Sequence, residues 1–263
     1  MGKQVTKKDI KTVLEFYGAL GVDAVPAPEK RPVRKKKNSH AAINQTGITR
    51  GVSAPDKEAA LRKLREEIGE CRGCKLAGGR TNLVFGEGNP DARLMFIGEA
   101  PGREEDKQGR PFVGDAGKLL TSFIERMGFK REDVFIANIA KCRPPMNRAP
   151  EEDEVKACIP FLKKQIEIIS PQAIMALGSV SAQNLLCTKT AISALRGKRF
   201  EFNGIPLVPT FHPAFLLRNP SRKWDTLEDA LPVLEILGES EKAEGVRAML
   251  KKSGRKNSGG AAG

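Results

Sequence analysis

Four short apolar runs, spaced by stretches of helical periodicity, leave this chain few folds to choose from. The runs are 94–98 (L-M-F-I-G), 134–140 (V-F-I-A-N-I-A), 173–178 (A-I-M-A-L-G) and 205–211 (I-P-L-V-P-T-F). Each is nearly free of polar side chains, so neither face of its strand can meet water. Strands buried on both faces belong to parallel sheets covered by helices. Helical spacing fills the intervals near 55–69, 115–127, 151–168, 179–187 and 224–237. Pro150 followed by Glu151, Glu152, Asp153 and Glu154 marks a helix start, because proline fits a first turn and carboxylates favour its positive end. The expected fold is α/β: a central parallel sheet between helix layers, in a single domain with flexible tails. Ligands in such sheets bind beyond the carboxyl ends of the strands, which here are 98–102, 138–142, 178–179 and 211–213.

Composition divides the 263 residues into three segments. Residues 1–52 are expected to hold a short amphipathic helix near 8–20 and a basic, proline-rich linker; 53–240 carry the strand–helix alternation; 241–263 read as a helix end and a disordered basic tail. Residues 1–50 carry 11 Lys or Arg against 4 Asp or Glu, and residues 251–263 carry four basic residues and no acidic one. Only +2 of the +13 formal charge therefore falls between them. Tails of this kind suit salt-sensitive attraction to a polyanion and equally suit simple solvation, so charge alone does not establish nucleic-acid binding. No run approaches the ~18 apolar residues that span a bilayer. The opening M-G-K-Q-V-T has no signal-peptide core, and a cytoplasmic, nucleoid-associated location without membrane contact is expected.

Of five cysteines, Cys71 and Cys74 form a C-x2-C pair, Cys142 follows the second apolar run, and Cys158 lies in the next helix. In a reducing compartment this pattern points to a metal rather than to disulfides. The pair follows a helix instead of opening one, unlike a thioredoxin-type redox site. Four thiolates suit zinc or a [4Fe–4S] cluster, and spacing does not separate the two. One pair plus two lone cysteines leans towards iron–sulfur. Cys187 reads as a buried cysteine acting as a small apolar residue.

The strand-end segments carry the candidate chemistry. Gly98-Glu99-Ala100-Pro101-Gly102 makes a rigid turn that offers backbone N–H groups and one carboxylate, without the G-x-G-x-x-G of a dinucleotide site. Gly114-Asp115-Ala116-Gly117-Lys118 is not a P-loop, since Phe112 stands at a required glycine and Leu119 replaces Ser or Thr. Asn138 sits in an otherwise apolar strand, where its amide must find partners and can read a donor and an acceptor together. His212 is one of two histidines, the other being His40 in the linker. Between a strand and Pro213, it can donate a hydrogen bond to developing negative charge. Glu99, Asn138 and His212 all occupy strand ends, so one crevice can hold all three.

The stretches G-E-A-P-G-R-E-E-D-K-Q-G-R-P-F-V-G-D-A-G-K-L-L (98–120), N-I-A-K-C-R-P-P-M-N-R (138–148) and F-H-P-A-F-L-L-R-N-P (211–220), taken with the four cysteines, closely resemble the family 4 uracil-DNA glycosylases over about residues 66–237. The resemblance implies excision of uracil from DNA by hydrolysis of its N-glycosidic bond, leaving an abasic site. It also implies one [4Fe–4S] cluster per chain on Cys71, Cys74, Cys142 and Cys158. The implied uracil pocket is Gly98, Glu99, Ala100, Phe112, Asn138 and His212, with Glu99, Asn138 and His212 catalytic. The implied partner is uracil-containing DNA, single- or double-stranded, and the chain is expected to be a monomer.

These residue types suit that chemistry, because the target base must leave the duplex, be stacked and be read by its edge. Phe112 supplies a stacking face. Asn138 can accept from uracil N3–H and donate to O4, a pattern that cytosine reverses. His212 can donate to O2 of the departing anion. Ala100 stands where other families place an aspartate, which leaves water to Glu99 or backbone groups. Glu105 is expected to shape the wall that rejects thymine's methyl. Leu216 is expected to fill the gap left by the base, with Arg143, Arg148 and Arg218 on phosphates. A relative that bonds covalently to abasic DNA needs a histidine-bearing loop after the second strand, and R-P-P-M-N-R-A-P has no histidine. No lysine is expected at the three strand-end sites, so the reading is monofunctional, with water as nucleophile.

Overall fold

The computed structural model describes residues 54–254. The helix expected near 8–20, the linker up to residue 52 and the tail from 255 lie outside the described residues. Six strands form one sheet: β1 Glu87–Gly88, β2 Leu94–Gly98, β3 Phe135–Asn138, β4 Ala173–Leu177, β5 Phe200–Phe202 and β6 Ile205–Thr210. Nine α-helices are described: α1 Ala54–Ile68, α2 Arg103–Gln108, α3 Asp115–Arg126, α4 Glu152–Ile169, α5 Gly178–Leu185, α6 Ile192–Leu195, α7 Pro213–Arg218, α8 Lys223–Ile236 and α9 Ser240–Lys252.

The four apolar runs become the four central strands, all parallel, in the sheet order β1-β3-β2-β4-β6-β5. The expected parallel sheet gains an antiparallel strand at each edge, β1 on β3 and β5 on β6. These edges left no apolar signature because one is two residues long and the other carries exposed Glu201 at its centre. The β5–β6 hairpin turns on Asn203 and Gly204, both with positive φ (50° and 80°), the pair that a two-residue hairpin turn favours.

Alternate side chains of each central strand feed opposite layers, as the pleat requires. Leu94, Phe96, Ile136, Met175, Leu177 and Val208 pack on α3, α8 and α9. Met95, Ile97, Phe135, Ala137, Ile174, Ala176 and Leu207 pack on α1, α4, α5 and α6. The domain boundary expected at 240 is corrected here. Helix α9 buries Ala243, Val246 and Leu250 in the same core as α8, so the folded body runs on through this helix. Its charged first and last turns disguised it as a tail.

From β2 the chain moves one way to β3, then crosses back to β4 on the other side. The strand order thus reverses at β2, and in open α/β sheets this reversal opens a crevice at the strand ends. Among the described residues, no helix is long and apolar enough to cross a membrane.

Candidate active site

The structure opens one crevice at the strand ends, and Glu99, Asn138 and His212 share it. A cavity of about 560 Å³ at the strand ends is lined by Glu99, Ala100, Glu105, Phe112, Asn138, Arg148, His212 and Arg218, among others. That lies within the usual range for small-molecule sites, roughly 300–1,000 Å³. The segments after β2 and β6, the end of β3 and the loop that follows it supply these groups.

At its floor, Asn138 ends β3 opposite Gly98 of β2. The Asn138 side chain is 2% exposed, and its Oδ1 has no hydrogen-bond partner. An unpaired buried acceptor of this kind costs about 1–3 kcal/mol unless something donates to it. Gly98 makes the arrangement possible: a Cβ there would stand 2.4 Å from Asn138 Oδ1 and 2.5 Å from Phe112 Cζ. Phe112 adopts φ 51°, in the left-handed region, and lies nearly buried with its ring centroid 5.7 Å from that of His212. Helix α3 backs tightly onto this residue, because a Cβ on Gly117 would fall 2.0 Å from the Phe112 carbonyl carbon.

His212 caps α7. The Ala214 N–H donates to its Nδ1 at 3.1 Å, so a neutral ring carries its proton on Nε2. Burial, reinforced by the nearby positive Arg218 and opposed by Glu105, drives its pKa down to about 4. The ring is therefore an uncharged donor at neutral pH. Behind it, Phe211 stacks on Phe215 at 4.9 Å, with the Arg196 guanidinium 5.5 Å from its centroid. Arg196 pairs with buried Asp229, which also accepts from Thr210 Oγ1 at 2.6 Å. Burial pushes the Asp229 carboxyl up to about 7.

Burial alone raises the Glu99 carboxyl above its ordinary value, and Glu99 lines the cavity beside Ala100. Glu105 lines it too, but its oxygens are committed to backbone: Val113 and Gly114 N–H at 2.8 and 2.9 Å, and Gly102 N–H at 3.1 Å. It acts on the wall by tying the loop after β2 to the loop that carries Phe112. Its neighbour Asp106 faces the other way and accepts from Thr81 N–H at 2.8 Å, anchoring the segment that follows the cysteine pair.

Cys71, Cys74, Cys142 and Cys158 line one small cavity together with Arg80 and Lys141. Donors already point at the sulfurs: Arg80 Nη1 to Cys142 at 3.3 Å, Lys141 N–H to Cys158 at 3.4 Å and Gly73 N–H to Cys71 at 3.4 Å. Burial pushes the Cys142 thiol up and the Cys158 thiol to about 11. Among the described residues no group of three or more His, Cys, Asp or Glu is drawn close enough to hold a metal ion. Cys187 is corrected: it is exposed, at φ 49° just past α5, rather than buried. Lys141, absent from the sequence-derived site, is fully buried and lies between the two cavities. Its Nζ donates to Asn138 O at 2.9 Å and Gln165 Oε1 at 2.6 Å. It is held away from the pocket, whose lining it does not join.

Two of the expected DNA contacts change. Leu216 is 3% exposed and packs inward, whereas its neighbour Leu217 is 43% exposed. The helical turn puts adjacent residues about 100° apart, and the run A-F-L-L does not say which faces out. Arg148 lines the cavity, but its guanidinium forms a bidentate pair with the buried Glu154 carboxylate at 2.8 and 2.7 Å. Arg143 Nε donates to Asn147 Oδ1 at 2.7 Å, and Arg218 stays exposed at the cavity mouth.

An α/β sandwich with a cavity at the reversal of strand order and a second, four-cysteine cavity is the arrangement that the resemblance to uracil-DNA glycosylases implies. Comparison with known proteins agrees. Residues 85–235 match the family model for the uracil DNA glycosylase superfamily. The chain is 47% identical over 186 residues to the type-4 uracil-DNA glycosylase of Sulfurisphaera tokodaii, covering 67% of this chain and 84% of that protein. It is 44% identical over 200 residues to the type-4 uracil-DNA glycosylase of Thermotoga maritima, covering 75% and 98%. A type-5 uracil-DNA glycosylase of Pyrobaculum aerophilum matches at 30% over 152 residues. The chain belongs to the uracil DNA glycosylase superfamily and, within it, to the type-4 uracil-DNA glycosylases.

The state of His212 is directly measurable. In the unfolded chain its ring takes a proton near the ordinary value of 6.5, and in the folded chain only near 4. Acidification between those values therefore favours the unfolded state through this group. Nitrogen NMR of histidine-labelled protein should show His212 uncharged, with the proton on Nε2, throughout that window. A His212 ring that charges near 6.5 would contradict the assignment.

Proposed function

We propose that this enzyme excises uracil from DNA as a monofunctional glycosylase, with water as the nucleophile. The observation that carries the reading is the buried, unpartnered Oδ1 of Asn138, an acceptor waiting at the pocket floor for an N–H donor. Uracil N3–H satisfies it, and the amide Nδ2 donates to O4. Phe112 stacks on the extruded base. Gly98, lacking a Cβ, lets the Asn138 amide and the Phe112 ring approach the strand end this closely.

Bond cleavage leaves negative charge on uracil and positive charge on the sugar. The neutral Nε2–H of His212 donates to O2 as that charge grows, and being uncharged it does not have to give its proton away. Glu99, acting as a carboxylate, offsets the sugar's charge and accepts a proton from the attacking water as the new bond to the sugar forms; burial raises its proton affinity and so strengthens it as that base. Lys141, the lysine nearest Asn138 in sequence, is held by Asn138 O and Gln165, so a Schiff-base route lacks its nucleophile. Leu217, rather than Leu216, takes the space vacated in the stack, with Arg218 and Arg143 near phosphates.

The four cysteines suit one [4Fe–4S] cluster. They share a cavity, and N–H donors already face three of the sulfurs, as thiolate ligands of such clusters require. The cluster would staple the segment after α1 to the end of β3 and the start of α4, a structural role. The enzyme acts as a monomer on nucleoid DNA, with the basic residues of both ends adding salt-sensitive affinity.

Two experiments test this. Asn138→Asp replaces the O4 donor with a carboxylate. It should lower single-turnover uracil excision by about 10²–10³, the loss typical of one catalytic donor, and permit slow cytosine release. Wild-type uracil rates in this variant would show the pocket to be misassigned. Protein purified without oxygen should contain about four irons per chain and keep them in Cys187→Ser. Stoichiometric zinc without iron would overturn the cluster.

A further inference from the structure

Among the described residues two large hydrophobic side chains are exposed: Leu217 at 43% and Met146 at 95%. Met146 has no part in the pocket chemistry, yet the chain maintains it at a cost. Met146 and Asn147 both take left-handed backbone, φ 54° and 55°, a region where a side chain such as methionine's is strained.

The strain is held in place rather than relaxed. Pro144 and Pro145 precede it. Asn147 N–H donates to Pro144 O and Arg148 N–H to Pro145 O, each at 3.1 Å. Arg143 grips Asn147 Oδ1, and the Arg148–Glu154 pair clamps the loop to α4. A rigid loop thus presents one apolar side chain to solvent with no contact inside the chain to offset its exposure. Its location supplies the reason. Pro144, Asn147 and Arg148 line the cavity, as do Phe215 and Arg218 of α7, so the Met146 loop and the Leu217 helix both frame its mouth. Arg103 and Arg218 lie there too, among the carboxylates Glu99, Glu104, Glu105 and Asp115, so the mouth offers guanidinium groups for individual phosphates.

We propose that Met146 is a second wedge: on binding duplex DNA it inserts into the base stack beside the extruded uridine, complementing Leu217. An unbranched, polarizable thioether adapts to a base step of any sequence, and apolar side chains that unstack such steps are a recurring device. The inference rests on the glycosylase reading. It adds that the chain helps to unstack duplex, a cost that a uracil in single-stranded DNA does not present.

The test compares the unsubstituted protein, Met146→Ala and Met146→Leu in single-turnover excision from one oligonucleotide, single-stranded and paired with adenine opposite uracil. Fluorescence of 2-aminopurine placed beside the uracil reports unstacking on binding, whether or not cleavage follows. Met146→Ala should slow duplex excision by about tenfold, equivalent to about 1.4 kcal/mol, while the single-strand rate holds and the fluorescence rise shrinks. Met146→Leu should retain both. Equal effects of Met146→Ala on the two substrates, or an unchanged 2-aminopurine signal, would overturn the proposal. Absence of uracil excision by the unsubstituted protein would instead strike the glycosylase reading, and the fluorescence comparison would still decide the wedge.

Discussion

At the end of β2, a glycine lets an aromatic ring and an amide close to within van der Waals reach above the same Cα. A Cβ on Gly98 would stand 2.4 Å from Asn138 Oδ1 and 2.5 Å from Phe112 Cζ, too close for either to remain where it is. The rest of the pocket is built around that approach. Glu105 draws three backbone N–H groups together so that the Phe112 loop stays over the strand end. Gly117 lets α3 back against Phe112. The Ala214 N–H fixes the Nδ1 of His212 on the far wall. The outcome is a buried acceptor, an aromatic face and a neutral N–H donor held around one cavity, the kind of preorganisation that electrostatic catalysis needs.

The two cavities are mechanically joined. Helix α2 sends Glu105 to the pocket loops and Asp106 to the segment following the cysteine pair. Lys141 donates to the Asn138 carbonyl with its side chain, and its own N–H meets Cys158. Disturbing the cysteine cavity therefore disturbs Asn138, although no cysteine lines the larger cavity.

Much of this was legible in the sequence, for physical reasons. Central strands buried on both faces must be apolar throughout, so all four stood out, and the strand-end rule placed Glu99, Asn138 and His212 in one crevice. What stayed hidden depended on neighbours. The edge strands were too short and polar, although Asn203-Gly204 carried a hairpin signal. Helix α9 looked like a tail because its buried stripe is only Ala243, Val246 and Leu250. Leu216 and Leu217 are alike in sequence, and only the helix's contacts decide which is buried. A charge such as that of Arg148 reads as a phosphate ligand until its carboxylate partner is seen. Met146 did leave a trace, as a large apolar residue in a turn between proline and asparagine.

The claim on which the account turns is that the unpaired Asn138 carbonyl reads an N–H donor on the base. Inhibition by free bases measures it directly, with uracil set against 3-methyluracil, which keeps the ring and both carbonyls but has lost the donor at N3. Leaving the buried carbonyl unpaired costs about 1–3 kcal/mol, so 3-methyluracil should inhibit uracil excision about 5- to 150-fold more weakly than uracil. Equal inhibition by the two bases would contradict the account.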